Sequence, residues 1–385
     1  MIKCFVFAIC SLPLACSNDS ANEPADAPAV AVIDARVQEI VGACDHLAAP
    51  GVWEEISPVP GYMPHPDNEG KWGAAAVVTH PALHGTIYAS VGYMGVWKST
   101  DCGSTWVKLN TGRHGTDLDT GIQFDLHVVP GQGAEPDLLY ANNWIGVIPA
   151  FFKSTNGGVD WDPLYDKSSN VEALVELGGW GNQMGVDPAD ARHLIIDFHA
   201  NCKSPRIALC MGESTDGGAT WRLFDGPQRD GLKGWQEAAV PYFVTPTHWI
   251  YAAHAGIFST TNSGATWTFV RYPGGTWHLE TAGMYYIAGD DGVLASADGG
   301  SWTPLAGSHA SNAIVATGKE IYTGSQFDSV GTLWRASQSN PTSWTAVPMP
   351  TAGKNAGATS LAYDGAHRVL YSSNHRSGLW RMVIE

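Results

Sequence analysis

The sequence predicts an all-β chain folded as a single seven-bladed β-propeller of four-stranded blades. Three observations predict it. An eight-residue segment ending in Trp, first seen as "STDCGSTW" at 99–106, recurs through the chain. Each copy follows two short strand-like runs, the earlier of them often centred on Tyr. The final unit stops one strand short, and an unused strand stands near the N-terminus. Repeats of four short strands in about 35 to 60 residues are the spacing of propeller blades.

In chain order, the first element is a leader rather than part of the fold. Lys3 precedes "CFVFAICSLPL", an apolar run too short to span a bilayer but suited to a signal segment. It ends in "PLACS", which resembles a bacterial lipoprotein cleavage box with Cys16 as the acylated residue. Pro13 stands where that box usually has a branched aliphatic, so ordinary signal cleavage stays open as the alternative. "SNDSANEPADAPA" then reads as a tether, because so polar and Pro-containing a stretch buries no core. The expected organisation is a leader over 1–16, a flexible tether over 17–40 and the propeller over 41–385. The chain is accordingly expected to be exported, to the periplasm or cell surface as a lipoprotein or into the medium, touching membrane only through its lipid.

Later copies of the turn are "STNGGVDW" at 154–161, "STDGGATW" at 214–221, "TTNSGATW" at 260–267, "SADGGSW" at 296–302 and a decayed "SQSNPTSW" at 337–344. Runs such as "GVWKS", "AFFKS", "GIFST" and "GVLAS" precede them as third strands. "GTIYAS", "DLLYAN", "HWIYAA", "EIYTG" and "RVLYSS" supply second strands, and small apolar runs such as "AAAVVTHP" supply first ones. The C-terminal "GATSLAYDGAHRVLYSSNHRSGLWRMVIE" contains three strands only. "GVWEEISPV" at 51–59 is the missing fourth, and pairing it beside "GLWRMVIE" closes the ring and removes two open sheet edges.

The recurring turn resembles the Asp-box, or BNR repeat, of sialidases, xyloglucan-cleaving glycoside hydrolases, sortilin-type receptors and photosystem assembly factors. The resemblance covers nearly all of the mature chain. It implies a propeller whose boxes lie on the face away from the ligand site, and it leaves the activity undetermined, since one scaffold hosts many functions. The residues themselves point to a structural role for Asp101, Asn156, Asp216, Asn262 and Asp298. Asn replaces Asp in two of these copies, and an amide does not titrate as proton transfer requires. A typical sialidase is the enzyme reading to reject first: no "RIP" occurs, and Arg113, Arg229 and Arg376 are the only arginines suited to a substrate-carboxylate triad. No xyloglucanase aspartate transfers by position, because those enzymes resemble two propellers clasping a cleft.

Topology locates the opposite face. Turns from second to third strand and links between blades share one side, and there the loops converge on the central channel. His65, His114, His199, His254, His278, His309 and His375, seven of the 14 histidines, map to it. So do Asp290 and Asp291. Histidine is the usual general acid or base near neutrality, and a carboxylate orients it. His199 and His254 are therefore the candidate bases, with Asp290 and Asp291 as partner or acid. Tyr93, His114, Trp144, Trp180, Trp235, Trp277, His278, His375 and Arg376 are the candidate substrate-binding residues, the aromatics as flat platforms for sugar rings and Arg376 as a clamp. The expected function is an exported carbohydrate-active enzyme, a glycoside hydrolase or a polysaccharide lyase acting on a poly- or oligosaccharide. The alternative is a non-catalytic binding or assembly-factor propeller. A divalent metal held by the face histidines is the cofactor compatible with this set, although no local motif marks one.

Charge excludes one class. Lys and Arg number 21 against 37 Asp and Glu, and a net charge of −16 leaves no basic groove for nucleic acid. The chain is expected to be monomeric. Four of the seven cysteines follow the leader, an even number that suits an oxidising compartment. Cys202 and Cys210 would close a short loop, which pairs Cys44 with Cys102 by elimination.

Overall fold

The computed structural model describes residues 40–59, 73–144, 151–164, 181–201, 209–227, 240–253, 256–271, 279–281, 283–325, 331–350, 357–374 and 376–385. All of them belong to one compact unit, Ile33–Glu385. The leader, the tether up to residue 39 and Cys16 lie outside the described residues. Among the described residues no helix is long and apolar enough to cross a membrane.

Seven four-stranded antiparallel sheets form the ring, six of them simple meanders and the seventh closed by a strand from the N-terminal side. Blade 1 comprises Ala74–Thr79, Ile87–Val91, Gly95–Ser99 and Val107–Lys108. Blade 2 comprises Leu126–Val129, Leu138–Asn142, Phe151–Ser154 and Asp162–Pro163. In blade 3 the strands are Gly181–Asp187, Asp190–Asn201, Leu209–Ser214 and Arg222–Asp225. Blade 4 has Val240–Phe243, Trp249–Ala253, Gly256–Thr260 and Thr268–Arg271. Leu279–Thr281, Tyr285–Gly289, Gly292–Ser296 and Thr303–Pro304 make blade 5. Blade 6 runs Ala313–Ala316, Glu320–Gly324, Thr332–Ser337 and Asn340–Pro348. Blade 7 runs Ala358–Asp364, Val369–Asn374 and Gly378–Val383, completed by Trp53–Glu55 from the N-terminal side.

The closing pairing is antiparallel, with Trp53 opposite Met382 and Glu55 opposite Trp380. Arg381 rivets this seam from a nearly buried position: its guanidinium donates to Glu54 Oε2 at 3.0 Å, to the Cys102 carbonyl at 2.9 Å and to Ser104 Oγ at 3.1 Å. On the inner side the hydroxyls of Thr359, Ser360 and Ser373 donate to carbonyls of Ala74, Val77 and Ala75 in blade 1. Small polar side chains therefore stitch the last blade to the first where the sheets pack most closely.

Tyrosine recurs in the second strands because its ring fills the space between blades while its hydroxyl reaches a polar edge. Tyr88, Tyr140, Tyr251, Tyr286, Tyr322 and Tyr371 are all buried. Tyr140 donates to the Ala191 carbonyl in blade 3 at 2.8 Å, and Tyr251 donates to Asp197 in blade 3 at 2.9 Å. Indoles after the recurrent turn do similar work: Trp106 donates to the Ile56 carbonyl at 2.7 Å and Trp221 to the Leu164 carbonyl at 3.0 Å, each reaching the preceding blade.

Three features go beyond the sequence expectation. One helical turn, Gly115–Leu118, interrupts the all-β pattern in the link from blade 1 to blade 2. Ile40–Val41 adds a parallel pair beside Leu83–His84. In blade 6 the degenerate sixth copy has become a tight hairpin, with Ser337 opposite Asn340. Cys44 and Cys102 are joined in a disulfide with Cα atoms 5.4 Å apart. The pairing expected for Cys202 and Cys210 lies outside the described residues, since only the backbone of Cys210 is described.

Candidate ligand site on the loop face

Hydrogen bonds internal to each recurrent turn engage its Asp or Asn. Asp101 Oδ1 accepts from the Ser99 hydroxyl at 2.7 Å and the Thr105 N–H at 2.8 Å, and Oδ2 accepts from the Thr105 hydroxyl at 2.6 Å. Asp216 repeats this with Ser214 and Thr220 at 2.8, 2.9 and 2.6 Å. Where Asn stands instead, its Oδ1 takes the same two bonds and its Nδ2 donates the third, from Asn156 to Asp160 Oδ2 and from Asn262 to Thr266 Oγ1, each at 2.9 Å. Asp298 in the shortened copy accepts from Ser296, Gly300 and Ser301. Hydrogen bonds from Thr220 pull the Asp216 carboxyl down to about 2. The carboxylates of Asp101, Asp216 and Asp298 are all held below the usual range and act here as acceptors.

On the other face, the second-to-third-strand turns of blades 1 and 7 share one construction. Val91 pairs with Gly95 and Asn374 with Gly378, leaving three turn residues in each. The middle residue, Tyr93 or Arg376, takes a left-handed backbone with φ 62 in both. The third residue donates its N–H back, Met94 to Val91 at 2.8 Å and Ser377 to Asn374 at 3.1 Å. Two residues beyond the glycine, Trp97 donates to the Met94 carbonyl at 3.2 Å and Trp380 to the Ser377 carbonyl at 2.6 Å. A non-glycine residue held at positive φ costs free energy and persists only where neighbours over-determine it, as at ligand sites.

These two turns flank a cavity of about 270 Å³ at the seam, whose wall includes Glu55, Ser57, Val91, Met94 and Arg376. Gly73 floors it at φ 61; a Cβ there would lie 3.1 Å from the Asn374 carbonyl and 3.3 Å from the Arg376 nitrogen. Ser57 ties the wall together, donating to Glu55 Oε1 and accepting from the Leu379 N–H, both at 3.1 Å. Arg376 Nε is buried and has no hydrogen-bond partner among the described residues. A buried guanidinium N–H without an acceptor is costly, and a carboxylate offers the planar acceptor pair that relieves the cost. Beside the cavity, Tyr93 and Trp144 pack on Ala75, Ile122 and Phe124, with the Phe124 and Trp144 rings edge to face at 5.4 Å.

Of the remaining candidates, those described lie outside the cavity wall. Asp290 and Asp291 form the exposed two-residue turn between the paired Gly289 and Gly292 of blade 5, on the same face but outside the cavity wall. His114 precedes the helical turn Gly115–Leu118. Its Nδ1 meets Asp117 Oδ2 at 3.1 Å, and neighbouring Arg113 is pinned to blade 2 through Asp160 and Asp162. His309 stacks on Trp334 with centroids 3.5 Å apart. His199 lies on the second strand of blade 3 with its side chain outside the described residues. His65, Trp180, Trp235, Arg229, His254, Trp277, His278 and His375 lie outside them altogether.

Carboxylate-paired histidines are found mainly on the side of the recurrent turns, where sequence reasoning did not seek them. His193 is buried with Nδ1 3.0 Å from Asp187 and Nε2 3.0 Å from Glu213. His80 Nε2 meets Asp137 Oδ1 at 3.1 Å, and the Tyr88 hydroxyl donates to the other oxygen. Burial would raise the Asp137 pKa, but hydrogen bonds from His80 and Tyr88 with the charge of Lys98 hold it well below the usual range. Asp364 receives His84, His367 and the Gly85 N–H. His80 with Asp137 and His84 with Asp364 join different blades, so no local spacing announces those pairs, whereas Asp364 with His367 and Asp187 with His193 lie within single hairpins.

No protein-family model matches the chain, and no curated protein matches it. Solved structures do. A GH74 xyloglucanase from Xanthomonas campestris is 16% identical with a TM-score of 0.55, over 86% of this chain and 53% of the enzyme. The chain thus spans about half the length of that enzyme. YCF48 from Cyanidioschyzon merolae is 11% identical with a TM-score of 0.54, over 87% and 98% of the two chains. The Pan2 WD40 domain from Neurospora crassa is 10% identical with a TM-score of 0.55, over 88% and 100%. At such identities the likeness is one of fold, and its members differ widely in what they do.

Proposed function

We propose that this chain is an exported propeller that recognises a short acidic oligosaccharide on the loop face, with the seam cavity as the subsite for a sugar carboxylate. The observation that carries this reading is Arg376, held at positive φ in the cavity wall with a buried Nε that has no acceptor among the described residues. Ser57 and Glu55 offer hydroxyl-binding groups, and the Tyr93–Trp144 cluster offers apolar surface alongside. A net charge of −16 repels a long polyanion, which favours an oligomer with few carboxylates.

Glu55 is the one carboxylate among the described wall residues, whereas hydrolysis requires two at a set separation. Recognition is therefore the reading the geometry supports, and cleavage by His199 or His254 is what product analysis decides. The test is calorimetric titration with a uronic acid trimer and with the neutral trimer of the same linkage. Arg376→Gln is expected to weaken the acidic trimer by about 10- to 100-fold, the worth of a charge-assisted pair, and to leave any neutral binding unchanged. Equal affinity for both trimers, or for neither, overturns the proposal. Chromatography of the same mixtures detects cleavage, and its loss in His199→Ala or His254→Ala would assign the base.

A further inference from the structure

We propose that Cys44, Cys102 and His367 form a thiol-gated metal site on the side of the recurrent turns, closed as a disulfide and open to Zn²⁺ after reduction. The sulfurs and a ring nitrogen of His367 all lie within 4.8 Å of one another. Zn–S and Zn–N bonds of about 2.3 and 2.0 Å set ligand atoms roughly 3.5 to 4 Å apart, so small side-chain rotations complete the set. The site is distinct from the histidines of the loop face.

Its surroundings are those of a prepared ligand set. His367 Nδ1 lies 2.9 Å from Asp364 Oδ2, the carboxylate–histidine arrangement that orients an imidazole for a metal at Nε2. Nε2 is 2.9 Å from the Gly42 carbonyl, an acceptor that a metal would replace. Asp364 is itself fixed by the Gly85 N–H at 2.6 Å and by His84 Nδ1 at 3.0 Å. A Cβ on Gly85 would lie 3.1 Å from Cys44 Sγ and 3.4 Å from His367 Cε1, and glycine at φ 85 lets both approach.

Opening requires a dithiol or phosphine reductant. Cys102 is fully buried while Cys44 is half-buried, so attack falls on Cys44 Sγ and Cys102 leaves as thiolate. A dithiol then forms its own disulfide, whereas a phosphine leaves Cys44 as a thiophosphonium that water hydrolyses to phosphine oxide; either way two electrons and two protons pass to the cysteines, and Zn²⁺ displaces those protons on binding. Three protein ligands leave one position for water.

The experiment uses the full chain, reduced with a phosphine under argon, freed of reductant and titrated with Co²⁺ as a spectroscopic substitute for zinc. Near-UV circular dichroism monitors the fold. One Co²⁺ per chain with a thiolate-to-cobalt charge-transfer band is expected after reduction, and none before. Cys102→Ser should abolish the band and Cys202→Ser should leave it. Asp364→Asn should weaken binding by about 10- to 100-fold. Unfolding on reduction, absence of the band, or a band indifferent to His367→Ala overturns the proposal.

Discussion

The first five recurrent turns each carry a glycine pressed against the preceding blade, and Gly218→Ala tests what that contact is worth. Gly218 has φ 92, and a Cβ there would stand 2.5 Å from Leu164 Cδ2, a buried leucine packed in the core between blades 2 and 3. Left-handed backbone costs alanine about 1–2 kcal/mol, and forcing a methyl into a filled core adds about 1–3 kcal/mol. The expected loss is about 2–5 kcal/mol. Gly157→Ala is the control: φ is 71 there, but the nearest atom is Pro136 Cβ at 3.8 Å, so the backbone cost of about 1–2 kcal/mol stands alone. Leu164→Ala should cost about 2–5 kcal/mol by leaving a cavity. In the double variant the new methyl occupies that cavity, so the two losses should fall short of additive by about 1–2 kcal/mol. Urea midpoints followed by tryptophan fluorescence and by circular dichroism measure all four, the two signals checking for a single transition. Equal effects of Gly218→Ala and Gly157→Ala, or a coupling below about 0.5 kcal/mol, would refute the contact as the cause.

Asp216→Asn should keep stability within about 0.5 kcal/mol, whereas Asp216→Ala should lose about 1–2 kcal/mol with its three accepted hydrogen bonds; thermal unfolding of both decides whether charge or bonding matters. Asp137 has a depressed folded-state pKa, so its contribution is complete above the ordinary value of 3.8 and fades as pH falls through the folded value. The stability gap between wild type and Asp137→Asn should therefore narrow from pH 5 downward in acid denaturation curves, and a gap independent of pH would remove Asp137 from the acid response. Arg381→Leu strands Glu54 and the Cys102 carbonyl at the seam and should cost about 3–5 kcal/mol. Hydrogen exchange should place the loss at Trp53–Glu55 and its partner strand, and uniform destabilisation would contradict a seam-specific role.

The ring was legible because its signals are local. A tyrosine between blades, a turn that needs Gly at positive φ and an indole after it must recur wherever the same packing recurs, so six copies and an incomplete seventh unit count the blades. Where packing tolerates an alternative the signal fades, as in the sixth copy, whose turn shrank to the Ser337–Asn340 hairpin. The cavity was only half legible. Arg376 and Tyr93 share a face by topology, but their equivalence rests on left-handed turns that no residue type announces. "YMGVW" and "RSGLW" held the clue, since the tryptophan two residues past the glycine caps each turn carbonyl. No local pattern marks Glu55 and Ser57, because the strand they extend pairs far along the chain: Ser57 and Leu379 are separated by 322 positions. The same distance hid His367 from Gly42, 325 positions apart.

One segment joins the two faces. Residues 44–57 are fastened at Cys44 by the disulfide on the side of the recurrent turns, cross the edge of blade 7 as Trp53–Glu55, and end in the cavity wall at Ser57. The cavity draws Glu55 and Ser57 from this closing strand and Arg376 from the hairpin that the strand pairs with, so its wall is complete only while the ring is shut. Anything that binds there binds the closed state alone. Ligand occupancy and ring closure are then one linked equilibrium, and a ligand at 100 times its Kd adds about 2.7 kcal/mol to closure. The recurrent turns, saturated in their own hydrogen bonds, have no such link: exchanging Asp for Asn there alters a donor and leaves the geometry, which is why that face tolerates the exchange and the seam is the place to look for specificity.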